Sequence, residues 1–130
     1  MQSGIQDARV SKWMYWTGWV LSGLVIAGLV FSGVMKLVKP TAVIDEFTRL
    51  GWPDVALGLG IVEIACAVIY AIPRTAVLGA ILVTGYLGGA IATHVRIHDN
   101  FIPPVVMGVL AWLGLYLRDA RLRALLPLRT

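Results

Sequence analysis

The 130-residue chain is 58% hydrophobic and 14% charged, with a mean hydropathy of +0.82. A soluble domain carries about 25% charged residues, so this composition is that of a membrane protein. The net charge of +4 comes from Lys and Arg at the ends of apolar runs, where they act as topology signals rather than as a nucleic-acid surface. The single cysteine, Cys66, excludes an intrachain disulfide and a CxxC redox centre.

The first element is "WMYWTGWVLSGLVIAGLVFSGVM", Trp13 to Met35, which contains no charge. As a helix it is about 34 Å long, enough to span a bilayer. It exceeds the roughly 7–15 apolar residues of a signal-peptide core, and no small-x-small cleavage site follows it closely, so it reads as a retained helix. Within the Lys39–Trp52 segment, "PTAVIDEFTRLGWP" sets Val43, Ile44, Phe47 and Leu50 at helical spacing, with Asp45, Glu46 and Arg49 on the other side. That spacing predicts a short amphipathic helix, with Gly51 as its stop and Pro53 as the restart. Further apolar spans follow at about 55–73, 75–93 and 101–117. The last begins with Pro103 and Pro104, which a first helical turn tolerates, and Arg118 extends it by snorkelling. In the basic tail, 118–130, Arg118, Arg121 and Arg123 alternate with Leu122, Leu125 and Leu126. This pattern predicts an interfacial helix against anionic headgroups.

The expected architecture is a single all-α membrane domain over residues 1–130. It is a four-transmembrane-helix bundle with a short amphipathic helix between helices 1 and 2. Seven Lys and Arg fall on the side of the termini and second loop (Arg9, Lys12, Arg74, Arg118, Arg121, Arg123, Arg129). Four fall on the other (Lys36, Lys39, Arg49, Arg96). The richer side is expected to be cytoplasmic, which places both termini there.

One charge interrupts the second span. In "GLGIVEIACAVIYAI", residues 58–72, Glu63 is the only ionisable carboxylate, about 13 Å from the start of its helix. Ala56, Leu59, Gly60, Cys66, Ala67 and Tyr70 share its face; Leu57, Ile61, Ile64, Val68 and Ile72 lie opposite. Small residues mark helix contacts and branched aliphatics suit lipid, so Glu63 is expected to point into the bundle. Tyr86 on the third span and Trp112 on the fourth match its depth. Gly18, Ser22, Val25, Leu29, Ser32 and Lys36 form one stripe on the first. The expected site is an outward-opening funnel with Glu63 and Tyr86 at its base and Lys36, His94, Arg96 and His98 at its rim. The candidate ligand-binding residues are Glu63, Tyr86, Lys36, His94, Ser32 and Trp112.

A dry carboxylate at this depth is expected to be neutral, unless Lys36 bends inward along Ser32 or water enters. Glu63 reads equally well as a packing acid. His94 and His98 are four residues apart but lack further ligands, so no metal site is assigned. Gly85 and Gly89 read as a packing face, and Cys66 as a small packing residue. No Ser-His-Asp pattern, phosphate loop or carboxylate pair is present.

The stretch "WLGLYLRDARLRALLPLR", Trp112 to Arg129, closely resembles the C-terminal signature of DoxX-like membrane proteins. "SGVMKL", "LGWP", the Glu inside helix two and "GGAIATHVR" fit the same family, and together the resemblance covers about residues 13–129. It implies a four-helix membrane bundle with both termini cytoplasmic. The family name derives from a thiosulfate:quinone oxidoreductase subunit, but the resemblance implies little about activity.

The leading expectation is binding of a small amphipathic ligand, a quinone or lipid, in an intramembrane pocket that supports a redox pathway. No cofactor is expected beyond such a quinone, and whether the chain is an enzyme stays open. The first alternative is a non-catalytic assembly factor or scaffold for another membrane protein. The second is proton-linked transport by a homo-oligomer, with Glu63 as carrier. The expected partners are the lipid bilayer, the ligand, and a membrane-protein partner or further copies of the chain, with no nucleic acid. The expected location is a bacterial cytoplasmic membrane.

Overall fold

The computed structural model describes residues 11–52 and 54–128, and the elements within them are all helical. Arg9, Pro53 and Arg129 lie outside the described residues. Helix α1 runs Lys12–Val38, opened by Ser11, whose Oγ accepts from the Met14 N–H. Lys39 ends it in the left-handed region at φ 56. Helix α2, Thr41–Leu50, follows from Pro40 and stops at Gly51, whose φ of 83 suits a residue without Cβ. Helix α3 is Ala56–Ala71, and a 3-10 turn at Pro73–Thr75 leads into α4, Ala76–Arg96. Helix α5 is Ile102–Arg118, and the tail forms α6, Ala120–Leu125, capped by the Asp119 side chain.

Among the described residues, two helical stretches are long and apolar enough to cross a membrane: Lys12–Val38 and Pro73–Arg96. Helices α3 and α5 are apolar but shorter. The expected faces are found, except that Ile64, expected opposite Glu63, is only partly exposed and packs against α1 at Gly33. Helix α1 buries Gly18, Ser22, Val25, Leu29 and Gly33. Helix α3 buries Ala56, Gly60, Glu63, Cys66, Ala67 and Tyr70, while Leu57, Ile61, Val68 and Ile72 are exposed. Helix α1 lies along α3 and α5, and α4 closes the ring against the same two.

The ring is tight at the end where α3 turns into α4. A Cβ added to Gly79 would sit 2.3 Å from the Tyr70 backbone, and one on Gly18 would sit 2.6 Å from the Gly114 carbonyl oxygen. Backbones approach this closely only where no side chain intervenes. A polar chain crosses the same end. The Arg118 Nε–H donates to Ser22 Oγ (3.2 Å), Ser22 donates to Tyr70 Oη (2.9 Å), and Tyr70 donates to the Ala111 carbonyl (2.6 Å). Arg118 also stacks on Trp19, 4.0 Å from the ring centroid. Tyr70 and Ser22 are fully buried, and this chain gives each hydroxyl a partner.

Toward the other end, α3 and α4 separate. Gly85 and Gly89 of α4 meet nothing within 4 Å of an added Cβ. The Gly85–Gly89 stripe, expected as a packing face, is therefore open: α4 has already diverged from α3 at this height.

Candidate functional site

The divergence leaves a wedge-shaped cavity of about 550 Å³. Helix α4 lines one side with Gly85, Tyr86, Gly89, Ala90, Thr93 and His94. Val55 and Leu59 of α3 and its approach line the other, and Phe47, Leu50 and Trp52 of the α2 segment close the end. Amphipathic α2 explains that end wall: Phe47 and Leu50 are buried, whereas Ile44 on its expected apolar side is half exposed. Cations of α2 and α4 tie the two together. Arg49 donates to Asp99 Oδ2 at 2.7 Å, Arg96 donates to the Leu50 carbonyl, and Arg96 sits over the Trp52 ring. The Arg49 guanidinium holds the Asp99 carboxyl below its usual range.

The polar end of the wedge is an ion pair. Lys36 Nζ lies 2.8 Å from Glu63 Oε1 and 2.6 Å from Ser32 Oγ. The Glu63 side chain is 4% exposed and that of Lys36 15%. Glu63 thus points inward, as its face predicts; its shortest contact is the Lys36 ammonium of α1, and Tyr86 of α4 stands within hydrogen-bonding reach of it. Gly60 is the reason Lys36 comes so close. A Cβ there would lie 2.9 Å from Lys36 Cβ, so its absence lets the lysine stem run against α3 one turn from Glu63. An ammonium has three N–H groups. Ser32 and both oxygens of Glu63 accept from Lys36, which also borders the cavity. Tyr86 stands beside Glu63 from α4 and borders the cavity as well.

His94 presents a defined edge. Its Nδ1 lies 2.7 Å from the Ala90 carbonyl, which can only accept, so Nδ1 carries a proton. His94 and His98 do not share a helical face. Helix α4 ends at Arg96, and His98 sits in the left-handed region at φ 57.

Of the six expected ligand residues, Lys36, Tyr86 and His94 line the wedge, and Glu63 and Ser32 join it through Lys36. Trp112 does not. Its indole Nε1–H donates to Thr84 Oγ1 at 2.6 Å and borders a separate apolar groove between α4 and α5. Matching depths along two helices say nothing about the direction in which each side chain points. The end wall of Phe47, Leu50 and Trp52 was not foreseen; the 3.6-residue spacing of Phe47 and Leu50 was its one signal.

The sequence model of the DoxX-like family matches residues 20–114. No curated protein and no solved structure matches the chain. The C-terminal stretch from Trp112, which carries most of the resemblance, lies almost wholly beyond the matched region. The match does take in every residue bordering the wedge, and it covers well over half of the protein. The chain belongs to the DoxX-like family.

Proposed function

We propose that this is an integral membrane protein with four spans and cytoplasmic termini, and that its wedge binds a small amphipathic ligand, a quinone or a lipid. The observation that carries the reading is an apolar cavity of about 550 Å³ ending on a buried Lys36–Glu63 pair. Pockets of this kind combine apolar walls with a few fixed polar groups. Lys36 and Tyr86, which both border the cavity, would meet a carbonyl or ester oxygen of the ligand, and the walls of α3 and α4 would hold its tail. Membrane embedding accounts for the outward surface, where Trp16, Val20, Leu24, Phe31, Ile61, Val68 and Leu78 are all exposed. Helices α3 and α5, at 16 and 17 residues, reach across with the help of flanking polar side chains.

Topology has its own test. A cysteine introduced at Ser11, in a Cys66→Ala background, should be labelled only after the membrane is opened from the cytoplasmic side. Labelling from outside intact cells would reverse the orientation.

For the ligand, the protein should be purified in lipid nanodiscs and its small molecules identified by mass spectrometry. A quinone or a defined lipid should accompany the wild type and be lost from Gly89→Phe, whose ring fills the open wedge, with unchanged melting. An empty wild type, or a ligand retained by Gly89→Phe, would overturn the reading. An empty wild type that carries a protein partner would favour the scaffold alternative.

A further inference from the structure

Apart from the Lys36–Glu63 pair, the wedge has a second polar group, at the end closed by α2. Glu46 of α2, His94 of α4 and Asp99 of the following loop each bring one ligand atom, and these atoms lie within 4.8 Å of one another. Donors around a four-coordinate zinc at about 2.0–2.2 Å stand roughly 3.3–3.5 Å apart. All three residues are partly buried, with the Glu46 side chain 44% and the Asp99 side chain 31% exposed.

Two further observations separate this group from a chance meeting of surface acids. The first is His94. Metal-ligating histidines characteristically give their other ring N–H to a carbonyl or carboxylate, which fixes ring and tautomer. The Ala90 carbonyl does this for Nδ1, so Nε2 is the nitrogen that would ligate a metal. The second is the charge already present. Arg49 bridges the two carboxylates, at 2.7 Å from both Glu46 Oε1 and Asp99 Oδ2. Its side chain is 50% exposed, so it can swing into water. Exposed ion pairs are weak, and a dication neutralises two carboxylates where one guanidinium leaves an excess negative charge.

We propose that Glu46, His94 and Asp99 form a divalent-cation site, with zinc the best fit to one imidazole and two carboxylates, and that Arg49 occupies its place when the metal is absent. Glu46 and His94 also border the wedge, so a metal held here would lie at its α2 end. The metal would pin α2 to the end of α4, and would offer an open coordination position to whatever enters. The site does not depend on what the wedge binds.

Zn²⁺ titration of the protein in nanodiscs, read by calorimetry, tests this. The wild type should take up one Zn²⁺ per chain. His94→Ala and Asp99→Asn should each weaken uptake by at least about tenfold, a scale that even outer-shell groups reach. Asp99 lies in a loop, so its variant is not expected to disturb folding. Arg49→Ala removes the competing cation and should tighten binding, and His98→Ala should change nothing. Co²⁺ should give the visible absorption of a four-coordinate nitrogen–oxygen site, lost in Asp99→Asn. No uptake in wild type or Arg49→Ala, uptake indifferent to both His94→Ala and Asp99→Asn, or weaker binding in Arg49→Ala would each overturn the proposal. A Zn²⁺ site in a protein that carries no quinone or lipid would leave this inference standing while the ligand reading fell.

Discussion

Lys36→Met should destabilise the protein by about 3–5 kcal/mol, the scale seen when one partner of a buried ion pair is removed. The loss is large because of what remains. Glu63 is 3% exposed, and Lys36 is the cation that donates to both of its oxygens. The pair itself contributes far less than this, because its attraction is set against the cost of desolvating both ions. The double variant Lys36→Met/Glu63→Leu should therefore recover most of the stability. Glu63→Gln, which keeps the acceptor oxygen, should cost less than Lys36→Met. Reversible unfolding in mixed detergent micelles gives the comparison. If Lys36→Met and Glu63→Leu cost little and add without coupling, the pair is not a stabilising contact between α1 and α3.

The way Lys36 turns shows where sequence reasoning reached and where it stopped. The stripe from Gly18 to Lys36, the small face around Glu63 and the aliphatic face opposite were all legible, because helical periodicity fixes which residues share a side. A lysine at the end of a span ordinarily extends toward the interface. Here Gly60 removes the side chain that would block the inward path, and Ser32 and Glu63 receive the ammonium. Gly60 and Glu63 are three residues apart in the sequence, but their meaning depends on α1 lying against them. Trp112 went the other way for a related reason: depth was legible, direction was not. The Glu46–His94–Asp99 group was illegible because its members come from three elements whose proximity depends on how α2 folds back. Gly85 and Gly89 were legible as a small-residue stripe, yet a stripe is the same whether a helix packs on it or a ligand does.

That ambiguity gives the second large effect. Gly79→Val and Gly89→Val place the same side chain on one face region of α4, ten residues apart, and should have opposite consequences. At Gly79 the new Cβ would meet Tyr70 Cα and N at 2.3 Å. These are backbone atoms, so no rotamer change can relieve the clash. The short Pro73–Thr75 turn also holds α3 and α4 together at this end. Overpacking a core costs about 1–3 kcal/mol where side chains can yield. A clash between backbones that cannot yield should exceed this, and Gly79→Val should leave little folded protein. At Gly89 nothing lies within 4 Å. Valine fits there and is a better helix former than glycine by a few tenths of a kcal/mol, so stability should be unchanged or slightly raised. Only the wedge volume, and with it ligand retention, should fall. Melting of the two variants in nanodiscs reads both outcomes together. If Gly89→Val proved as damaging as Gly79→Val, the face would be packed against something in the membrane. A partner helix, from another protein or a second copy, would then be the better account of the glycines than a bound small molecule.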